Sequence, residues 1–181
     1  GSRMMGRLGG LLKSMPITAF AAATATLSMA GFPLFFGFIG KEIMYKGALT
    51  EEMFPVFATT AALLANSLMA AVAALLIIKP FLGAARSTPL LPREAPWTMW
   101  LGPVFLGGLG LIFGIVPDWI GRWLIEPAVR AFHPSMEDIQ LKLFYGINEP
   151  LLLSIATLSL GGMLYWQHRP LRQFIAYAMT R

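Results

Sequence analysis

The chain has 181 residues, of which 56% are hydrophobic and only 13% charged, and its mean hydropathy is +0.65. A soluble domain of this size carries about 25% charged residues. The charges are also grouped in short stretches between long uncharged ones, a pattern that indicates a helical protein with several membrane spans and excludes a soluble enzyme. The net charge of +5 would suggest nucleic acid as a partner of a soluble protein, but basic loops on one side of a membrane explain it better. The chain has no cysteine, which excludes a disulfide, a cysteine nucleophile and a cysteine metal site.

The first hydrophobic segment, residues 16–49, is too long for one straight membrane helix. At about 1.5 Å per residue it would extend roughly 50 Å, whereas the hydrocarbon core of a bilayer is about 30 Å thick. The segment is interrupted by Gly-Phe-Pro at Gly31–Pro33. Since proline removes a backbone donor and glycine adds no stiffness, the sequence predicts a break there. Two separate short helices, 16–30 and 34–49, are the alternative.

Three further hydrophobic segments complete the predicted fold, which is all-α with about four membrane spans in a single membrane domain, 1–181. Each of the three is close to the length of about 20 residues that crosses a bilayer. They are residues 54–78, 97–116 and 150–166.

Two more helices are predicted outside these spans. Residues 118–132 predict a short helix at the outer surface of the membrane, with tryptophans at the level of the lipid headgroups. Its predicted apolar face is formed by Trp119, Ile120, Trp123 and Leu124. Residues 171–181 predict the start of a further helix.

The distribution of charge predicts the orientation of the spans. With four crossings both termini lie on one side, and the connecting stretches of that side are almost wholly basic. Their charged residues are Arg3, Arg7, Lys13, Lys79, Arg86, Arg93, Arg169, Arg172 and Arg181, with Glu94 as the one acid. The charged residues of the opposite side are Lys46, Arg122, Arg130, Lys142, Glu51, Glu52, Asp118, Glu126, Glu137, Asp138 and Glu149. The positive-inside rule therefore predicts that both termini of this segment lie in the cytoplasm.

Lys41 is the most informative candidate residue, because it follows the predicted break and ends the uncharged run 16–40. An ionisable residue beyond a Gly/Pro-interrupted span suggests the functional site of a transporter. In that interpretation Lys41 faces a hydrated cavity and loads and releases a proton, because desolvation favours the neutral amine. In the alternative, the side chain snorkels and its ammonium reaches the outer interface. Tyr45, one turn further, would share a polar face with Lys41 or pack at the membrane edge.

Three other polar residues are candidates for the same path. Glu42 points about 100° away from Lys41 on a helix, so it would face another subunit or the outer surface, or take part in transport. Asn66 lies in the middle of a predicted span, where an interhelical hydrogen bond is the ordinary explanation and a water path the alternative. Lys79 ends that span and would snorkel on the cytoplasmic side or take up protons there. The histidines lack partners at metal-ligand spacing, and no nucleotide-binding motif is present, so no metal and no cofactor are predicted.

Three stretches of the sequence carry a family resemblance. RLGGLLKSMPITAFAAATATLSMAGFPLFFGFIGKEIMY, residues 7–45, resembles the late part of the antiporter-like subunits shared by respiratory complex I and Mrp-type Na+/H+ antiporters. Its pattern KSMP, LSMAG-P and GF–KE is the Mrp form. PREAPWTMWLGPVFLGGLGLIFGIVPDWI and LFYGINEPLLLSIATLSLGGMLYWQHRPLR are similar to the next parts of the large, A-type subunit of Mrp antiporters. The resemblance thus covers nearly the whole chain in the same order.

The resemblance implies inverted five-helix repeats, each with a discontinuous helix that carries a lysine or glutamate of a membrane-embedded proton relay. The first span would be the second of these helices, with Lys41 as its ionisable residue. Gly40 stands where the family more often has serine, so that hydroxyl is missing beside the lysine. The relay lysine of the first repeat and its partner glutamate would lie upstream. The implied function is a section of a monovalent cation/proton antiporter subunit that moves protons and Na+ together with other subunits of a membrane complex.

Two alternatives stay open at this point. Within the same superfamily, the chain would be a proton-translocating membrane-arm subunit of a complex I-like or hydrogenase complex. From a different class, it would be a structural membrane scaffold in which Lys41 is an interfacial anchor without polar neighbours.

Overall fold

The computed structural model of the chain describes residues 8–85, 92–132, 146 and 148–179, and for 168–179 it gives the helical path alone. All regular structure in these residues is helical, as the sequence predicts. The helices are α1 Pro16–Ala30, α2 Phe36–Leu49, α3 Pro55–Ile77, α4 Trp97–Ile115, α5 Pro117–Ile120, α6 Glu126–Phe132 and α7 Glu149–Met179. Two π-helical turns, Ile78–Leu82 and Gly121–Ile125, extend α3 and join α5 to α6.

The predicted break in the first span is confirmed, and Gly31 is the residue that ends α1. Gly31 has a φ of 71°. Its N–H donates to the Ser28 carbonyl at 3.0 Å, and the Phe32 N–H donates to the Leu27 carbonyl at 3.0 Å. These two bonds form a Schellman motif, which favours glycine because the motif requires left-handed backbone.

The loop between the two half-helices passes directly against α4. A Cβ atom at Gly114 would lie 2.8 Å from the Leu34 carbonyl carbon and 2.7 Å from that of Phe35. A glycine is therefore required at this position of α4 for the helix to approach the loop. Leu34 itself has a φ of 79°, a conformation that side-chain-bearing residues rarely adopt.

In the described part of the chain, two helices are long and apolar enough to cross a membrane, Pro55–Leu82 and Trp97–Ile115, and α1 is a shorter apolar helix. The first includes the π-helical turn that follows α3. Their bounds agree closely with the predicted segments 54–78 and 97–116. The number of crossings and their orientation stay predictions.

Small residues bring the long helices close together. A Cβ atom at Gly161 of α7 would lie 3.0 Å from the Ser67 carbonyl oxygen of α3, and one at Gly107 of α4 would lie 3.0 Å from the Thr24 Cβ of α1. Close backbone approach of this kind is usual where helices associate within a membrane. In addition, α1 and α2 each contact both α3 and α4.

Glu94 ties the connection before α4 to the start of α1. Its carboxylate accepts hydrogen bonds from the Ile17 N–H at 3.0 Å, the Thr18 N–H at 3.2 Å and the Thr18 hydroxyl. The N-cap residue of α1, Met15, makes no side-chain capping bond, so Glu94 satisfies N–H groups that the helix leaves without partners.

The charged residues described near this end of the bundle agree with the predicted grouping. The helical turn Leu11–Lys13 contacts the turn Ile78–Leu82 that contains Lys79. Lys13, Lys79 and Glu94 thus lie toward one end of the helices. For the other predictions on charged residues and histidines, several side chains lie outside the described residues. These are the side chains of Arg3, Arg7, Arg86, His133, Glu137, Asp138, Lys142, His168, Arg169, Arg172 and Arg181.

Two sequence predictions differ from the structure. α7 is one continuous helix, Glu149–Met179, where a span over 150–166 and a separate helix from 171 were predicted. The polar sequence after Trp166 marks the end of an apolar stretch, but it does not end a helix.

Outside the spans, residues 117–132 are helical as predicted, but Ile120 is only 7% exposed, whereas Trp119 and Trp123 are exposed. Ile120 therefore packs inward and does not share the exposed apolar face.

Candidate functional site

The side chain of Lys41 turns back from α2 to the end of α1. Its Nζ donates a hydrogen bond to the Ala30 carbonyl at 2.7 Å, and the residue is only 8% exposed. Ala30 is the last residue of α1, so its carbonyl has no partner within the helix and lies at the negative end of the helix dipole. The break therefore creates an acceptor that suits an ammonium group.

Two glycines make room for this arrangement. A Cβ atom at Gly31 would lie 2.9 Å from Lys41 Cε and 3.1 Å from Lys41 Nζ. One at Gly37 would lie 2.9 Å from the Ser28 carbonyl carbon and 3.0 Å from the Ser28 hydroxyl oxygen. The first turn of α2 thus packs against the last turn of α1, and the two half-helices overlap side by side.

Gly40, where the family more often has serine, has open space around it. A Cβ atom built there meets no atom of the described chain within 4 Å. A serine would fit without moving its neighbours in this section of the protein. Lack of space in the described chain therefore does not explain why position 40 is glycine rather than serine.

Lys41 does not have the geometry of a snorkelling lysine in this structure. A snorkelling side chain extends its charged group away from the protein into water, whereas the Lys41 ammonium is bonded to a backbone carbonyl within the bundle. If the chain were only a structural scaffold, Lys41 would have no polar neighbours. In the structure it has one, the Ala30 carbonyl.

Glu42 is buried within the bundle rather than on its outer surface. The residue is 5% exposed, and its Oε2 has no hydrogen-bond partner in the described part of the chain. The sequence predicted that Glu42 faces another subunit or the outer surface, or takes part in transport, and its burial in the described structure contradicts the outer surface. Because α2 is surrounded by α1, α3, α4 and α7, pointing away from Lys41 does not bring the carboxylate to the surface.

Tyr45 and Thr157 form a hydrogen-bonded pair that joins α2 to α7. Both are buried, at 0% and 1% exposure. The Thr157 hydroxyl donates to the Leu153 carbonyl at 2.7 Å, so its one proton is engaged and Tyr45 is the donor in the pair. Sequence reasoning placed Tyr45 on a polar face or at the membrane edge and did not identify Thr157, which lies 112 residues away.

Within the described residues, neither Asn66 nor Lys79 forms a hydrogen bond with Lys41. Asn66 donates to the Ala62 carbonyl of its own helix at 2.9 Å, and across the helix interface its amide lies 4.0 Å from the Met44 sulfur. Lys79 lies in the turn after α3, toward the end of the bundle where α1 begins. No group of three or more His, Cys, Asp or Glu residues that could hold a metal ion occurs in the described residues.

Comparisons with known proteins match the chain to subunits of membrane antiporters. The family described as "NADH:quinone oxidoreductase/Mrp antiporter, TM" matches residues 1–69. The chain is 29% identical, over 91% of its length, to the A-type subunit of a Na(+)/H(+) antiporter from Alkalihalophilus pseudofirmus, of which it covers 22%. It is 33% identical, over 99% of its length, to a probable K(+)/H(+) antiporter subunit of type A/B from Rhizobium meliloti, of which it covers 18%.

A solved structure is similar to nearly all of the chain. It is the Mrp complex from Dietzia sp. DQ12-45-1b, matched with a TM-score of 0.76 and 26% identity over 97% of this chain and 19% of that one. The fold, the broken span and these similarities define a class: the chain is a section of an antiporter-like membrane subunit. Residues 1–69 match the family described as NADH:quinone oxidoreductase/Mrp antiporter, and the chain as a whole is similar to a part of the A-type subunit of Na(+)/H(+) antiporters and to a part of the Mrp complex. It spans about a fifth of the length of these relatives, which are 22%, 18% and 19% covered.

Proposed function

We propose that the chain forms part of a secondary monovalent cation/proton antiporter and that Lys41 relays protons within it. The observation that carries the proposal is the Lys41 ammonium, which is buried at a helix break and bonded to the free carbonyl of Ala30. An ionisable group beside a discontinuous helix is the usual construction of transporter sites. The names of the relatives, Na(+)/H(+) and K(+)/H(+) antiporter subunits, supply the class of ion.

In this function Lys41 accepts a proton and then releases it. The charged form is stabilised by the Ala30 carbonyl and by the dipole of α1. Glu42, buried one position further, is the next candidate for a group that exchanges the proton. Asn66 on a water path and Lys79 in proton uptake from the cytoplasm stay predictions.

The proposal includes a location and a set of partners. The section would lie in a bacterial cytoplasmic membrane, cross it several times and have both of its ends in the cytoplasm. It would work with other subunits of a membrane antiporter complex and exchange protons for Na+, or for K+ as the name of the Rhizobium meliloti relative indicates. The exposed apolar residues of α3 and α4, among them Phe57, Phe105 and Leu106, suit contact with lipid or such subunits.

The test is proton-driven cation transport in membrane vesicles that contain the full-length subunit in its complex. Lys41→Ala should abolish Na+ or K+ efflux because it removes the group that exchanges the proton. Lys46→Ala is the matched control, since Lys46 is an exposed lysine on the same helix. Full transport by the Lys41→Ala complex, with normal assembly, would contradict the relay role.

A second candidate function is proton translocation in a redox-driven complex, because the matching family also includes NADH:quinone oxidoreductase. The same vesicles distinguish the two functions. A proton flux that follows addition of Na+ or K+ supports antiport. A flux that requires oxidation of a reduced substrate, and does not respond to the cation, supports the redox-driven pump.

A further inference from the structure

Three buried side-chain oxygens have no hydrogen-bond partner in the described part of the chain, and one of them, Oγ1 of Thr59 on α3, belongs to a residue that is only half-buried. The other two are Oε2 of Glu42 on α2 and Oγ of Ser154 on α7. Their residues are 5% and 3% exposed. Because buried polar atoms are nearly always paired with protein or with ordered water, both oxygens require an explanation.

The packing of α2 on α7 brings these two positions opposite each other. At one end of the contact, Phe38 and Ile39 form a buried apolar cluster with Leu151. At the other end, Tyr45 bonds to Thr157. Two straight segments that touch at both ends are no further apart in between, so residues midway along one segment lie close to residues midway along the other.

Glu42 and Ser154 occupy these midway positions. Glu42 is three residues from both Ile39 and Tyr45, and Ser154 is three residues from both Leu151 and Thr157. Residues three apart share a face of a helix. Each side chain therefore belongs to the face that its helix presents to the other helix.

The chemistry of the two oxygens suits a water molecule between them. A water can donate to the Glu42 carboxylate and accept from the Ser154 hydroxyl, which satisfies both oxygens without a direct bond between them. The Tyr45–Thr157 pair, one turn away, offers further oxygen atoms to a buried water. A dehydrated metal cation requires a larger set of oxygen ligands than these side chains provide.

We propose that Glu42 and Ser154 hold a buried water molecule between α2 and α7. The water connects the carboxylate beside Lys41 to α7, and it makes Ser154 a positioning residue for Glu42. The site follows from packing alone. Its test measures stability and density, so failure of the relay proposal for Lys41 would leave it standing, and its own failure would leave the relay proposal standing.

The test is a double-mutant cycle of thermal unfolding on the full-length subunit in lipid nanodiscs. Ser154→Val fills the space of the water and leaves the carboxylate without a partner, so we expect the unfolding midpoint to fall by a few degrees. In a Glu42→Met background, where the carboxylate is absent, the same substitution should leave the midpoint unchanged or raise it. Equal shifts in both backgrounds would overturn the proposal.

Ser159→Val is the matched control for this cycle. Ser159 lies on the exposed face of α7 and its hydroxyl donates to the Ile155 carbonyl of the same helix at 2.9 Å, so its effect should not depend on residue 42. A cryo-EM map that resolves other buried waters gives the second readout. A density peak within hydrogen-bond distance of both Glu42 and Ser154, absent in the Ser154→Val protein, supports the site, and a map without that peak overturns it.

Discussion

The hydroxyl groups of Tyr45 and Thr157 illustrate how a single buried residue joins elements that are far apart in the chain. Tyr45 donates to Thr157, which in turn donates to the Leu153 carbonyl. The three groups form a directed chain from α2 into α7, and each proton has a defined acceptor. Removing the two hydroxyls should therefore have unequal effects. A buried donor that loses its acceptor is costly, whereas Thr157 keeps its bond to Leu153 when the Tyr45 hydroxyl is removed.

We predict that Thr157→Val destabilises the protein more than Tyr45→Phe does. Thr157→Val leaves the Tyr45 hydroxyl as a buried donor without its acceptor, at a cost of about 1–3 kcal/mol, whereas Tyr45→Phe loses one ordinary hydrogen bond, about 0.5–1.5 kcal/mol. Thermal unfolding of the full-length subunit measures both. Thr60→Val is the control, since Thr60 is exposed and its hydroxyl donates to the Val56 carbonyl of its own helix. The opposite order of the two effects would show that Tyr45 is not the donor.

At the scale of the element, the important feature is the joint between α1 and α2. It contains a Schellman motif closed by Gly31, a side-by-side overlap permitted by Gly37, and the bond from Lys41 to Ala30. These three contacts involve neighbouring atoms. A change in the backbone of the joint should therefore reach the lysine directly.

We predict that Gly31→Ala impairs both stability and transport. Alanine in the left-handed conformation at φ 71° costs about 1–2 kcal/mol, and its methyl group would displace the Lys41 side chain from the Ala30 carbonyl. The measurements are thermal unfolding and proton-driven cation transport.

Gly40→Ala is the matched control for that change. Gly40 is a helical residue of α2 with open space around it in the described chain, so alanine should be neutral or stabilise by about 0.5–1 kcal/mol. If Gly31→Ala left transport and stability as unaffected as Gly40→Ala, the joint would not position Lys41.

The break in the first span could be predicted from sequence because length and Gly-Phe-Pro are local signals. The partner of Lys41 could not, since it depends on the overlap of α2 with α1 rather than on the spacing of residues. The contacts of Thr157 and Ser154 could not be predicted for the same reason. In the sequence they are ordinary small residues of an apolar helix, and no signal in a single sequence pairs them with α2. Glu42 was correctly separated from Lys41 by helical geometry, but its burial depends on the four helices around α2.

At the scale of the whole molecule, Glu94 closes the end of the bundle opposite to the break. It holds residues before α4 against the start of α1 through three hydrogen bonds. The Thr18 hydroxyl, together with the backbone N–H groups of Ile17, Thr18 and Ala95, holds the pKa of Glu94 below its usual value of 4.5, because each of these bonds favours the charged carboxylate.

We predict that Glu94 makes the protein more stable above about pH 4.5 and that this contribution is lost on acidification. Because the pKa of Glu94 is lower in the folded than in the unfolded protein, its stabilisation is complete above the unfolded value of 4.5 and disappears as the pH falls through the lower folded value. The unfolding midpoint of Glu94→Gln should therefore lie below that of the wild type at pH 7, and the two should converge as the pH falls below 4.5.

The control for the pH series is Glu52→Gln, which changes an exposed carboxylate of the loop before α3. Its unfolding midpoint should follow the wild type at every pH. A constant difference between Glu94→Gln and the wild type from pH 7 to pH 3 would mean that the charge of Glu94 does not stabilise the contact with α1.

The bond between Lys41 and Ala30 has a mechanical consequence. It fastens two half-helices that are otherwise joined by a five-residue loop, 31–35, and a charge-assisted bond is roughly twice as strong as a neutral one. If Lys41 gives up its proton during transport, this fastening weakens at that moment, and α2 gains freedom to pivot about the loop. Because Tyr45 couples α2 to α7, the pivot would pull on α7 as well. The protonation state of Lys41 would thus determine whether the two halves of the broken helix are held together or move independently.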